Sequence, residues 1–238
     1  MNLFKALSYK EWMKTRKFIL VAFVLLAAVA VYSYIDITYA IRIEEAVNIW
    51  YGFIFQGVSV SNLMMYLIPL SGISMAIVQF VPEMTNKRFK LTLHLPASET
   101  RLVSAMLLYG HGVLFALYFV CIVFMSVIIG LVMPSEVVQM MVSQFLPWIT
   151  AGLAGYGFTV WICVEPSWKQ RIFNMLISVG LLSVLFVSVY PETYSYFAWG
   201  MILVLVSSFV FPFYSCVRFK QGIQRYDLIV NNKNSFLI

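Results

Sequence analysis

Two stretches of this chain, Phe53 to Val81 and Leu102 to Met133, contain no Asp, Glu, Lys or Arg, and they flank a charged island, Val81 to Arg101. Uncharged apolar runs of this length have few places to go. A bilayer core about 30 Å thick takes about 20 residues of helix, and inside it only helices and closed barrels satisfy their own backbone polar groups. Four more such runs occur, at Phe18 to Ile35, Phe145 to Val164, Ile172 to Tyr190 and Tyr196 to Val217. Composition agrees, because a chain that is 62% hydrophobic and 11% charged, with a mean hydropathy of +0.88, would expose large apolar patches as a soluble domain. The expected fold is all-α: one polytopic membrane domain over residues 1–238, with six transmembrane helices.

The basic residues orient it. With six spans, segments 1–17, 82–101, 165–171 and 218–238 share one side and hold fifteen of the sixteen Lys and Arg, leaving Arg42 alone on the other. The positive-inside rule then puts both termini and the 82–101 island in the cytoplasm, with the spans in the cytoplasmic membrane. The ten acidic residues divide evenly and decide nothing. The net charge of +6 is explained by topology and calls for no nucleic-acid partner.

In chain order, residues 1–17 predict an interfacial helix leading into the first span, with Trp12 at headgroup depth. The rival reading is a secretory signal peptide, since Ala28-Val29-Ala30 resembles a cleavage site, but the basic region is long and cleavage would leave five spans. Asp36 to Gly52 predicts an outer loop ending near an aromatic belt at Trp50 and Tyr51. In the second span Gln56, Ser59, Asn62 and Tyr66 are spaced three, three and four apart, a polar stripe on one helical face. Such a stripe serves interhelical hydrogen bonds or a substrate path. Asn174 and Ser178 share a face at the start of the fifth span in the same way.

Within the island, Pro82 suits the first turn of a helix and Glu83 its positive end. Pro96 ends that element at Leu95, and Ser98 with Glu99 suits the start of the next. Phe89, Leu91, Leu93 and Leu95 alternate with Lys90, Thr92 and His94, a strand period. A lone strand has no partner here, so a helix lying on the membrane surface is expected. Gly110-His111-Gly112 predicts packing, as the histidine has no acidic, cysteine or histidine neighbour in sequence. Small residues from Ala151 to Gly157 predict tight helix contact, and Cys121, Cys163 and Cys216 read as small buried hydrophobes.

An acidic residue just after the second span, then a basic and apolar segment ending His94-Leu95-Pro96-Ala97-Ser98 before the third, resembles the cytoplasmic coupling loop of ATP-binding-cassette (ABC) export permeases of the second type. Lys10-Glu11 is similar to the Lys-Glu pair in the N-terminal helix of those permeases. The resemblance implies a coupling helix between spans two and three that docks on a separate cytoplasmic ABC ATPase. Glu83, Lys87, Arg88, Phe89, Leu91, Leu95 and Pro96 would make that contact, and 165–171 a minor one. It implies ATP and Mg bound by the ATPase, no cofactor on this chain, and a second permease half, identical or not. In that family the second and fifth spans commonly lie near the subunit interface, which makes Gln56, Ser59, Asn62, Asn174 and Ser178 candidates for the substrate path. One departure is the small outer loop Pro191 to Ser195, where some relatives carry re-entrant helices.

The residues support that division of labour independently. No GxxxxGK[ST] phosphate loop occurs in the sequence, so ATP hydrolysis is expected of a partner. An intramembrane hydrolase needs an activated nucleophile, a metal cluster or paired carboxylates, and an ion-coupled carrier needs intramembrane charge. The six runs contain no Asp or Glu and one His. The expected function is the transmembrane subunit of an ABC exporter, not itself an enzyme. The alternative is a scaffold or mechanotransmission subunit with the same coupling loop and no continuous polar path.

Overall fold

The computed structural model describes residues 3–85, 99–188, 190–194 and 196–235. It is all-helical, and six helices are long and apolar enough to cross a membrane. Seven α-helices are described: α1 Leu3–Glu44, α2 Ala46–Phe55, α3 Asn62–Thr85, α4 Glu99–Gly130, α5 Ser135–Val164, α6 Trp168–Ser183 and α7 Ala198–Ser235. All but the short α2 are candidate spans. Large apolar side chains such as Leu20, Phe115, Leu176 and Leu203 are exposed on their outer faces. In water such a surface would drive aggregation, whereas in lipid it is the expected one.

The central helix is α5, which packs against α2, α3, α4, α6 and α7, while α1 lies against α2, α3 and α4. Its small residues explain its place. A methyl group added at Gly72 of α3 would run into the carbonyl oxygen of Gly152, and one at Gly157 into the Ser208 backbone of α7. Glycine at these crossings therefore sets how closely the backbones approach. Gly110 likewise leaves room on α4 for the Tyr156 ring. Buried Tyr118 of α4 reaches α3, donating to the Ile68 carbonyl at 2.9 Å and lying 2.9 Å from Ser71 Oγ.

Several boundaries differ from the sequence expectation. Residues 3–17 are helical but continuous with the first span, and at about 1.5 Å per residue the 42-residue α1 is about 63 Å long, twice the bilayer core. It runs on through the expected outer loop to Glu44. At Glu45 the backbone turns with φ 68°, and the apolar α2 follows. The expected second span, Phe53 to Val81, is broken: α2 ends at Phe55, Gly57 takes a positive φ of 67°, and α3 starts at Asn62. A side chain at Gly57 would also meet the Tyr190 ring.

Pro82 is not in a first turn, since α3 continues through it to Thr85 and leaves Glu83 at the negative end of that helix. Helix α5 begins at Ser135, so most of the expected outer loop Pro134 to Gln144 is helical. The fifth span is short. The 16 residues of α6 and three of 3₁₀ helix, Val184–Phe186, together rise about 30 Å, enough for one crossing. Beyond it Tyr194 staples the turn, donating to the Val184 carbonyl and accepting from the Ser188 amide, both at 3.2 Å. The tail from Arg218 continues α7 as helix to Ser235.

One core residue breaks the packing logic. Gln144 of α5 is 2% exposed, and neither its amide nitrogen nor its oxygen has a hydrogen-bond partner among the described residues. An unsatisfied buried polar group costs about 1–3 kcal/mol. Gln144→Leu is therefore expected to raise stability by an amount in that range in a thermal or denaturant titration. A loss of stability would mean that the amide is satisfied.

Candidate functional site: a buried charge cluster at the foot of α1 and α3

Lys10, Glu11, Lys14 and Thr15 fall on one face of α1, since positions three and four apart are neighbours on a helix. Facing them are Gln79 and Glu83, one turn apart near the end of α3. Lys14 Nζ lies 2.9 Å from Glu83 Oε1, 2.7 Å from Glu11 Oε2 and 3.4 Å from the Gln79 carbonyl oxygen, which occupies all three ammonium donors. Lys10 Nζ is 3.0 Å from the same Glu83 oxygen. Both carboxylates are 1% exposed. Two ammonium groups against two carboxylates leave this group without net charge, the arrangement that makes burial at a membrane edge tolerable. The two lysines also offset the unfavourable placement of Glu83 at the carbonyl end of α3.

Hydrogen bonds carry the contact into two more helices. Gln79 Nε2 donates to the Met106 carbonyl of α4 at 3.1 Å, and its Oε1 accepts from Tyr156 Oη of α5 at 2.8 Å. Thr15 Oγ1 donates to the Glu11 carbonyl at 2.9 Å, so in its 2.8 Å contact with Tyr109 the phenol must be the donor. Charges on α1 and α3 are thus tied to α4 and α5 through side chains with defined orientations. Glu11 Oε1 and Glu83 Oε2 are buried without hydrogen-bond partners among the described residues. They sit where α3 hands over to residues 86–98.

A second cluster joins α5, α6 and α7 at the same end of the bundle. Buried Glu165, just past α5, accepts from Ser215 Oγ at 2.5 Å and pairs with Arg218 at 3.2 Å, while Arg171 Nε donates to its carbonyl oxygen at 2.6 Å. Arg218 also lies over the Tyr214 ring. Within 165–171 the large exposed apolar side chain is Trp168, 72% accessible, beside exposed Pro166, Ser167 and Lys169. Removing Arg218 strands a fully buried carboxylate, so Arg218→Met is expected to cost about 3 kcal/mol in equilibrium unfolding, with Arg218→Lys recovering part of it. Equal losses for both variants would show that the guanidinium geometry, not its charge, is what Glu165 requires.

Of the residues expected to contact an ATPase, the structure describes Glu83, which faces inward to Lys10 and Lys14. Lys87, Arg88, Phe89, Leu91, Leu95 and Pro96 lie outside the described residues. The proposed polar stripe does not form. Gln56 caps α2, Ser59 sits in the break, and Asn62 opens α3, so the interruption destroys the shared face. Gln56, Asn62 and Tyr66 are exposed, while the half-buried Ser59 has a hydroxyl without a hydrogen-bond partner among the described residues. Asn174 and Ser178 do share a face of α6, but it is turned into the bundle. Ser178 Oγ donates to the Asn174 carbonyl at 2.7 Å, and with its amide oxygen toward α5 Asn174 accepts from Trp161 Nε1 at 3.3 Å.

His111 packs edge-on to Tyr156 and Phe209, with Nδ1 2.9 Å from the Leu107 carbonyl oxygen and therefore protonated. Cys121, Cys163 and Cys216 form no disulfide among the described residues. Among the described residues no three His, Cys, Asp or Glu side chains gather as metal ligands.

Sequence reasoning missed Gln79, Tyr109 and Tyr156, gave Lys14 no partner, and took Glu11 as half of the Lys10-Glu11 pair without its contacts to Lys14. The available signals were the Glu11/Lys14 spacing of three and the Gln79/Glu83 spacing of four, at membrane edges where acidic residues are rare. Comparison of the chain with protein-family models, curated proteins and solved structures found no match.

Proposed function

We propose that this chain is the membrane-spanning half of an ABC-type exporter of the second type, driven through residues 86–98 by a separate cytoplasmic ATPase and paired with a second half. The observation that carries this reading is the Lys10–Glu11–Lys14–Glu83 cluster. It lies at the junction of α3 with the segment that resembles a coupling loop, and the fifteen-to-one distribution of basic residues assigns that end to the cytoplasm. A push on 86–98 enters α3 at Glu83 and reaches α1 through two lysines. It reaches α4 and α5 through Gln79, Met106 and Tyr156. Four helices then respond as a unit, as transmission from an engine outside the membrane requires. ATP and Mg bind the partner, and this chain performs no chemistry.

A second reading has its own support. The polar groups of Asn174, Ser178, Gln79 and Tyr156 are sealed within the bundle, and α6 presents Ile172, Phe173, Met175, Leu176 and Val179 outward. Such a chain suits a mechanotransmission subunit, which moves with the ATPase without conducting cargo. Both readings expect Phe89→Asp with Leu91→Asp to abolish ATPase association while membrane insertion is unchanged; undiminished association would refute both. Efflux of cargo by the parent complex distinguishes them. Transport that is lost when Gln56 and Asn62 become Leu favours the exporter, and a complex that hydrolyses ATP and exports nothing favours mechanotransmission.

A further inference from the structure

The foot of α1 carries two kinds of basic residue. Lys10 and Lys14 face inward and are taken up by Glu83 and Glu11, whereas Arg16 and Lys17 are exposed and have no carboxylate partner among the described residues. Both border a groove of about 750 Å³ between α1 and α4. Trp12, Arg16, Leu20 and Phe23 recur every three or four residues along its α1 wall, and Val113, Ala116 and Val120 form the α4 wall.

The groove does not end there. Phe23, Leu117 and Val120 also line a smaller cavity with Leu26, Ala27 and Phe124, and Phe124 leads on to Val123 and Val127. From Trp12 to Ala27 this furrow follows α1 for about 22 Å, most of the bilayer core. Its lining is apolar except at the end where Arg16 and Lys17 stand.

We infer that this furrow is a binding site for one anionic diacylglycerophospholipid, with its phosphate held by Arg16 and Lys17 and an acyl chain laid along the α1–α4 seam. Charge complementarity selects this occupant. A planar guanidinium matches phosphate oxygens in a bidentate fashion, and the adjacent ammonium adds a point charge at the same depth. A zwitterionic lipid brings its own cation and gains less from an unpaired Arg and Lys. A second copy of the chain would bring α1 against α1 or α4, and so set these same uncompensated cations against each other or against apolar helix. Trp12 at the mouth supplies the amphipathic ring found at headgroup level. The site is separate from the inward-facing cluster, so lipid can be exchanged there without breaking the Lys14 bridges.

A benzophenone amino acid at exposed Ala116, on the α4 wall, tests this in the full-length chain reconstituted into phosphatidylcholine vesicles containing a minority of phosphatidylglycerol. Adducts are identified by mass spectrometry, and the same photoprobe at Val206, exposed on α7, is the control. The expected result is phosphatidylglycerol at position 116 enriched roughly tenfold over its share of the vesicle. At Val206 it should appear at its share, and Arg16→Gln with Lys17→Gln should remove the enrichment at 116 while helicity by circular dichroism is kept. Capture of both lipids at position 116 in proportion to their abundance, enrichment that survives both substitutions, or cross-linking of 116 mainly to a second copy of the chain would overturn the assignment.

Discussion

Lys14→Met is expected to lower the unfolding free energy by about 3 kcal/mol, because Lys14 lies within 3 Å of both buried carboxylates, Glu11 and Glu83. The value sits at the low end for a broken buried pair because the Lys14 side chain keeps 19% of its surface and water can reach it. Lys10→Met should cost less, as Lys10 is 39% exposed and Glu83 retains Lys14. Glu11→Gln in the Lys14→Met background should restore part of the loss, since Glu11 loses its bridging lysine there while Glu83 keeps Lys10 at 3.0 Å. Equilibrium unfolding of the four proteins in mixed micelles forms a double-mutant cycle whose interaction term reports the bridge. An interaction within about 0.5 kcal/mol of zero would mean that the bridge behaves as an exposed surface pair and ties nothing together. The functional counterpart is a complex that still binds its ATPase but no longer passes motion to α1.

The second large effect is steric. Gly72→Leu places a side chain where the Gly152 carbonyl oxygen already stands, and Gly157→Leu does the same against the Ser208 backbone. Overpacking a tight core ordinarily costs about 1–3 kcal/mol, and here the obstacle is backbone, which cannot swing aside. Helices α3 and α7 would have to move away from α5, so a loss at or beyond the top of that range is expected, with little folded protein recovered. Gly112→Leu and Gly180→Leu are the matched controls, because nothing among the described residues stands within 4 Å of a Cβ at either site. Recovery by size-exclusion chromatography should separate the two pairs, and equal recovery of all four would remove the close crossings from the account.

These two effects differ in how far the sequence announces them. The six spans are legible because charge depletion over roughly 20 residues has only one helical solution in a bilayer. The small residues from Ala151 to Gly157 announce a close contact, although not that α3 and α7 are its partners. Ends of elements are less legible. The break before α3 falls inside an unbroken apolar run, where hydropathy is silent, and its signs are Gly57 and the turn-forming Ser59, Ser61 and Asn62. Pro82 reads locally as a helix start, yet α3 carries it, because Lys10 and Lys14 stabilise the following Glu83 in the last turn.

The charge cluster is the least legible part. Lys14 and Glu83 are 69 positions apart, and each alone looks like a solvated or headgroup-facing charge. Periodicity along one helix shows which residues share a face but not which helix that face meets. The stripe from Gln56 to Tyr66 fails for the opposite reason, since its spacing presumes a helix that the chain does not form there.

The most direct test of the central claim is a photoreactive amino acid at Phe89, activated in intact cells, with the cross-linked protein identified by mass spectrometry. A separate ATPase bearing a GxxxxGK[ST] phosphate loop is the predicted product, with position 89 closed to membrane-impermeant thiol reagents applied from outside when it is changed to Cys. Labelling of that position from outside the cell, or adducts that include no such ATPase, would contradict the account.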